Sequence, residues 1–252
     1  MENQFALEGL EVFEELNGKR CFELDSKQQR QIKTFTLRCV LITNESHPEI
    51  KFDVFERLNT NTVPLNAQEL RNCIYRGPLN DMLGDISIQS DWLSCLGRRS
   101  PDKRLRDEEL ILRFFAYHNL GLATYRTPLK HWLNDAAKAG RKYSAAAIGE
   151  QRAIWDNALA NAIAWQGAKG VFRRPEGRSI NRALFDLVMW TAKKVAPGEA
   201  SNLAHDFNQL FLAIMDDEDF TDLIGRAVDH KSRTIRRFDM WISNVERPLL
   251  GL

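Results

Sequence analysis

Phe52 to Asn72 reads FDVFERLNTNTVPLNAQELRN, and the order of residue types in it decides how this part of the chain folds. Just upstream, Ser46 and Glu49 stand three apart with Pro48 between them, a capping box in which hydroxyl and carboxylate satisfy the free N–H groups of a helix start. Helix is therefore expected from near His47. Ile50, Val54, Phe55 and Leu58 recur at helical spacing and make one apolar face, leaving Lys51, Asp53, Glu56 and Arg57 on the others. The polar run Asn59-Thr60-Asn61-Thr62 ends that helix. A second one starts at Asn66, which can cap, with Glu69 at the third helical position and Leu65 and Leu70 in the two places of a hydrophobic staple. A capped helix start beyond a small polar loop presents free N–H groups and partial positive charge, which suits phosphate. Capping by itself accounts for the same residues, Glu69 included.

Outward from this stretch, the 252 residues allow one large domain or two modest ones, and 44% hydrophobic with 27% charged residues is ordinary globular composition. A net charge of +1 excludes the global basic field of a nucleic-acid coat but leaves room for local patches. No apolar run approaches the roughly 20 residues a bilayer span needs, and MENQFALEGLEVFEE has neither a basic n-region nor an apolar h-region. A cytoplasmic chain without a membrane partner is expected. Cys21, Cys39, Cys73 and Cys95 form no CxxC pair and read as buried free thiols; the five histidines fall in no metal-ligating spacing. No catalytic and no metal-binding residue is assigned.

Ahead of the opening stretch, Leu7 to Leu24 is irregular with a turn at Asn17-Gly18, and Ser26 caps a short helix through Phe35. TLRCVLIT, residues 36 to 43, alternates in the manner of a strand. Helix, strand, helix, loop and helix give an α+β start. Behind it Arg76-Gly77-Pro78 marks a break, and a domain boundary is expected there, between 1–76 and 77–252.

FERLNT followed by PLNAQELRN closely resembles a segment of the N-terminal domain family of GmrSD-type restriction endonucleases, matching it at Phe55, Glu56, Arg57, Leu58, Asn59, Thr60, Leu65, Gln68, Glu69, Leu70, Arg71 and Asn72. RLRDEELILRFFA, from Arg104, is similar to an Arg-rich, Glu-containing helix of the same family. The resemblance implies a ParB/sulfiredoxin-like fold for the first part and a nucleotide- and DNA-related role in restriction and anti-phage defence. It implies a nucleoside triphosphate with Mg as cofactor, held here by Arg57, Asn59, Thr60 and Glu69. Two departures stand out. Asn61 and Thr62 replace the family's Gly-Gly, and its DGQQR motif is missing. Ser26-Lys27-Gln28-Gln29-Arg30 is superficially like that motif but falls on the helix before the strand and reads as an exposed helical turn. The fold class expected is thus mainly α, with the later half of a ParB-like domain followed by an α-helical bundle.

Leu79 to Ile86 is a short helix. Ser87 to Lys103 reads as turn-rich and leads to the densest basic group, Arg98, Arg99, Lys103, Arg104 and Arg106; Ser100-Pro101 then starts a helix to about Tyr117. On that helix Glu108 and Glu109 can pair with Arg104, Arg106 or Arg113 one turn away, the usual pattern of a charge-laced surface. Further stripes run over Leu129 to Lys138, Ser144 to Gln166, a helix behind a Ser179 cap, then Leu203 to Ile214, Phe220 to Val228 and Ile235 to Val245. Their aromatic anchors predict one helical core. Arg173, Arg174, Arg178 and Arg182 straddle a Pro-Gly loop, and Lys231, Arg233, Arg236 and Arg237 lie on the last helix. Arg98, Arg99, Arg104, Arg106, Arg173 and Arg174 are the DNA-contact candidates.

Three functions compete. One is a nucleotide- or DNA-associated defence subunit whose catalysis is completed by a DGQQR-bearing or nuclease partner. Another is a protein-interaction module or degenerate remnant without chemistry. The third is autonomous DNA binding. Independent turnover is disfavoured, because the chain has no P-loop and no recognisable general base with a partner.

Overall fold

The computed structural model describes residues 5–37, 39, 48–58 and 64–252, and the chain falls into two compact units, Met1–Ser46 and His47–Leu252. In the first, Leu7 N–H donates to Lys19 at 2.9 Å and an isolated antiparallel bridge joins Ala6 to Arg20, closed by the turn at Asn17-Gly18. Helix α1 (Ser26–Thr34) follows, and its Ser26 to Arg30 segment is helical with Ser26, Lys27 and Arg30 exposed but Gln28 and Gln29 half-buried, Gln29 Nε2 donating to the Leu24 carbonyl at 2.8 Å. Asp25 rather than Ser26 is its cap, accepting Gln28 N–H at 2.8 Å while Gln28 returns the bond to the Asp25 N–H. A carboxylate one residue upstream outcompetes the hydroxyl for the same donors.

Among the described residues there is no strand. Thr36, Leu37 and Cys39 carry no regular structure, and the rest of the expected strand, 38 and 40–43, lies outside the described residues, as do Ser46 of the expected capping box and His47, the expected helix start. The chain is mainly α.

The second unit holds the remaining helices: α2 (Pro48–Leu58), α3 (Ala67–Ile74), α4 (Pro78–Ser87), α5 (Ser90–Leu96), α6 (Arg106–Asn119), α7 (Leu129–Gly140), α8 (Ala145–Gly170), α9 (Arg182–Ala192), α10 (Ala200–Met215), α11 (Glu218–Leu223), α12 (Lys231–Trp241) and α13 (Arg247–Leu250). A π-helical turn, Ile242–Glu246, joins the last two. Phe52, Leu70 and Tyr75 belong to the same core as the later helices, so the division between units falls ahead of α2 and not at the expected break after Arg76. Gly77 and Pro78 instead start α4.

Helix α6 lies at the centre, against α4, α7 and α9, and ten of its fourteen residues are buried. It is a core helix rather than the expected charge-laced surface. Its aromatic residues join two clusters. Phe114 meets Trp155 edge-on at 5.3 Å, and Trp155 meets Trp92 at 5.3 Å; Tyr117 stacks parallel to Tyr125 at 6.1 Å and packs on Trp132 at 4.8 Å. Such offset and edge contacts add to area burial. Helices α4 and α7 approach so closely that a Cβ on Gly140 would stand 2.2 Å from Leu79 Cδ2.

Two further helix starts differ from expectation. Asn181, not Ser179, caps α9, accepting from Ala183 and Leu184 N–H at 2.9 and 3.1 Å. Helix α6 begins at Arg106 rather than at Ser100-Pro101, because Asp102 and Asp107 tie the intervening residues into a turn. Helix α5 occupies a stretch expected to be turns: Trp92 and Cys95 sit on its buried face, and Gly97 ends it in the left-handed region at φ 66°.

Candidate functional site

Two arginine groups more than 60 residues apart in sequence converge on one cavity of about 450 Å³. It lies at the starts of α6 and α9 and at the loop before α9. Arg98, Arg106, Arg173, Arg178 and Arg182 line it, with Leu96, Leu110 and Ile180 supplying apolar surface. The acidic residues lining it are Asp107 and Glu109.

The turn that presents Arg98 and Arg106 is built by two carboxylates. Asp102 accepts Arg98 Nη1 at 2.6 Å, Arg104 N–H at 2.8 Å and lies 3.2 Å from Arg106 Nε; its own N–H donates to Asp107 Oδ2 at 2.8 Å. Burial alone would raise the Asp102 carboxyl, but the Arg98 hydrogen bond and the other donors around it outweigh that and hold it below its ordinary value. Asp107 also accepts Glu108 N–H at 2.9 Å. Both acids are thus absorbed by the turn.

Arg173 is a tether. Its guanidinium donates to Arg178, Val171 and Cys95 carbonyls at 3.1, 2.9 and 2.8 Å, which fixes the α9 loop to the end of α5. Its charge nevertheless stays in the cavity without a carboxylate. Arg178 and Arg182 are exposed, and among the described residues neither side chain has a hydrogen-bond or ion-pair partner. Glu109 lines the cavity but is paired with Arg71 at 3.0 Å. Phosphate-sized anions are what an assembly of uncommitted guanidinium groups over a partly apolar floor can hold.

The other DNA-contact candidates lie elsewhere. Arg104 pairs with Glu69 at 3.1 Å and donates to the Pro64 carbonyl at 2.6 Å; Arg174 donates to the Thr221 carbonyl at 2.9 Å; Arg99 lines no cavity among those described. Arg178 and Arg182, which complete the cavity, carried no signal beyond their place in a basic cluster. Three of the four basic residues of α12 are engaged within the chain: Arg233 pairs with Asp222 at 2.6 Å, Arg236 with Asp219 at 2.8 Å, and Arg237 is buried; Lys231 is exposed.

Of the nucleotide-site candidates, Asn59 and Thr60 lie outside the described residues. Arg57 is exposed on the last turn of α2. Glu69 closes the capping box of α3, accepting Asn66 N–H at 2.6 Å, and lines a separate notch of about 390 Å³ with Asn72, Arg76 and Asp81. That notch carries no excess of positive charge.

The expected pairs along α6 do not form. Arg113 reaches Asp186 at 3.0 and 2.5 Å and Asp229 at 3.2 Å, while Glu108 is buried with Oε2 unpartnered and its carboxyl is pushed up to about 7 by burial, then by Asp107. Charges on a helix enclosed on all sides must find partners on other helices. The cysteines also differ from expectation: none is paired, but only Cys95 is buried, and Cys39 and Cys73 are exposed. Burial pushes the Cys95 thiol up to about 12.

No helix among the described residues is long and apolar enough to cross a membrane, and no group of three or more His, Cys, Asp or Glu side chains there is placed to hold a metal ion. Comparison of the chain with protein-family models, with curated proteins and with solved structures finds no match in any of the three.

Proposed function

We propose that this chain is a phosphate-recognising, nucleotide- or DNA-associated subunit of a GmrSD-like restriction or anti-phage defence system, with catalysis completed by a partner chain. The observation that carries the phosphate-binding half is the arginine cavity, where Arg178 and Arg182 have no carboxylate partner and Arg173 brings a third charge. A volume of about 450 Å³ is in the range of nucleotide-sized ligand sites. The association with defence rests on the resemblance of Phe55 to Asn72 to that family.

Titration of a fluorescent DNA oligonucleotide and of a nucleoside triphosphate against the chain, at several salt concentrations, tests the reading. Affinity is expected to fall steeply with salt, and Arg178→Ala with Arg182→Ala should lower the slope of log K against log salt by about 1 per arginine. Binding that ignores both salt and these substitutions removes the cavity from the function. A tagged pull-down from the host, read by mass spectrometry, should return a DGQQR-bearing or nuclease chain.

A second reading, a protein-interaction module, draws on the first unit. There Phe5, Val12, Phe13, Phe22, Ile32, Phe35 and Leu37 are all more than half exposed, an apolar density that marks contact surfaces. Charged substitutions at Phe13 and Phe22 abolishing partner capture, with DNA and nucleotide binding absent, would favour it.

A further inference from the structure

The arginine cavity holds more positive charge than its carboxylates neutralise. Arg98 and Arg106 share one carboxylate, Asp102, and Glu109 is paired with Arg71. Counting Arg71 with the five lining arginines, six guanidinium groups stand against the carboxylates of Asp102, Asp107 and Glu109, a surplus of three positive charges. Three of the guanidinium groups are held in place. Arg98 Nη1 and Arg106 Nε are turned to Asp102, and each nitrogen of the Arg173 guanidinium gives one N–H to a carbonyl, leaving two of its five donors. The two segments meet at the end of α5, where a Cβ on Gly97 would stand 3.9 Å from Arg173 Nη2.

The rest of the lining is poor in groups that read a nucleobase. Bases are recognised by stacking on aromatic rings or by the paired donor and acceptor of Asn and Gln, and among the described residues lining the cavity there is none of these. Its uncharged surface is aliphatic, Leu96, Leu110 and Ile180, with the Ser179 hydroxyl as the one neutral polar side chain. Aliphatic walls lower the local dielectric and strengthen charge interactions. An arginine fork can pair with guanine, but a phosphate oxygen pair fits the same fork and brings full charge.

A single phosphate monoester carries about 1.5–2 negative charges at pH 7, short of the surplus, and a chain of phosphates makes up the difference. Resting on the phosphate reading above, we infer that the cavity takes a short polyphosphate chain, of two or three phosphates, and selects ligands by phosphate number while leaving any nucleoside base unread. Successive phosphates engage the oriented guanidinium groups and the unpaired Arg178 and Arg182 together.

Calorimetric titration of the full chain with orthophosphate, pyrophosphate, tripolyphosphate, ATP, GTP, adenosine and a hydroxyl-ended oligonucleotide, at one ionic strength, tests this. Each added phosphate should tighten binding roughly tenfold, since charge-assisted hydrogen bonds are worth about 1.5–3 kcal/mol each. ATP, GTP and tripolyphosphate should agree within about threefold, and adenosine should not bind. Arg178→Ala with Arg182→Ala should weaken tripolyphosphate at least about tenfold. Lys231→Ala, which removes an exposed cation outside the cavity, should change nothing. A preference of more than about tenfold between GTP and ATP, binding of adenosine, orthophosphate as tight as tripolyphosphate, an oligonucleotide that outcompetes tripolyphosphate, or an equal loss in Lys231→Ala overturns the inference and leaves the phosphate reading to its own test. No binding of any phosphate compound or of the oligonucleotide overturns both.

Discussion

Arg178 and Arg182 in the cavity and Arg113 and Arg237 in the core are the same side chain in opposite settings. Arg113 is fully buried and gives Nε and Nη2 to both oxygens of Asp186, while Arg237 lies 3.5 Å from the same carboxylate and donates to the Val228 carbonyl. Burial lowers the Arg113 pKa, but the Asp186 charge and hydrogen bonds outweigh it and raise the net value. In the cavity the local acids are already taken by backbone donors or by Arg71, so Arg178 and Arg182 keep their full donor capacity for a ligand. Whether an arginine is paired or left with free donors follows from which carboxylate the fold brings within reach.

The largest test of this contrast is Asp186→Ala. It leaves the buried Arg113 with only the partly exposed Asp229 and Arg237 with only the Val228 carbonyl, and should cost about 3–5 kcal/mol in urea unfolding. A loss below about 1 kcal/mol would mean that Arg113 and Arg237 do not depend on Asp186 for their counter-charge. Glu108 is the reverse case, a buried carboxylate without an arginine. Its carboxyl moves from an ordinary 4.5 up to about 7, so the stabilisation from its neutral form is complete below pH 4.5 and is lost as pH rises toward 7, in all about 3 kcal/mol. Glu108→Gln should flatten that part of the stability–pH curve; an unchanged curve would show that Glu108 titrates normally.

Arg104 stands between the extremes, a partly exposed arginine tied to the α3 cap through Glu69 and through its carbonyl, which accepts Asn66 Nδ2 at 2.6 Å. Asn66→Ala should cost about 1 kcal/mol, measured by thermal unfolding. The smallest stability effect belongs to Arg178→Ala with Arg182→Ala, expected within about 0.5 kcal/mol of the parent because both are exposed and unpartnered. Loss of phosphate binding in that same variant, with stability intact, would separate recognition from structure most cleanly.

Local signals in the sequence proved readable where they act over three or four residues. The Asn66–Glu69 capping box, the Asn17-Gly18 turn and the apolar stripes of α7, α8 and α10 are all present. Where two caps competed within a few residues, as Ser26 with Asp25 or Ser179 with Asn181, pattern alone chose the wrong one, since only backbone geometry shows which oxygen faces the free N–H groups. Helix α5 was hidden because its seven residues carry only two buried apolar side chains. In the candidate site, the basic clusters were visible but their sorting was not: Arg98, Arg106 and Arg173 enter the cavity, Arg99, Arg104 and Arg174 do not, and Arg178 and Arg182 join from outside the chosen set.

The sequence by itself determined a mainly helical chain, some of its helix starts and the clustering of its arginines, because capping and amphipathic spacing are short-range interactions within one element. Only the tertiary structure decided that α6 is enclosed, that Asp186, 73 residues away, neutralises Arg113, and that residues 98–106 and 173–182 share one cavity. Charge pairing depends on which helices pack together, and that follows from the summed fit of the whole core rather than from any local run of residues.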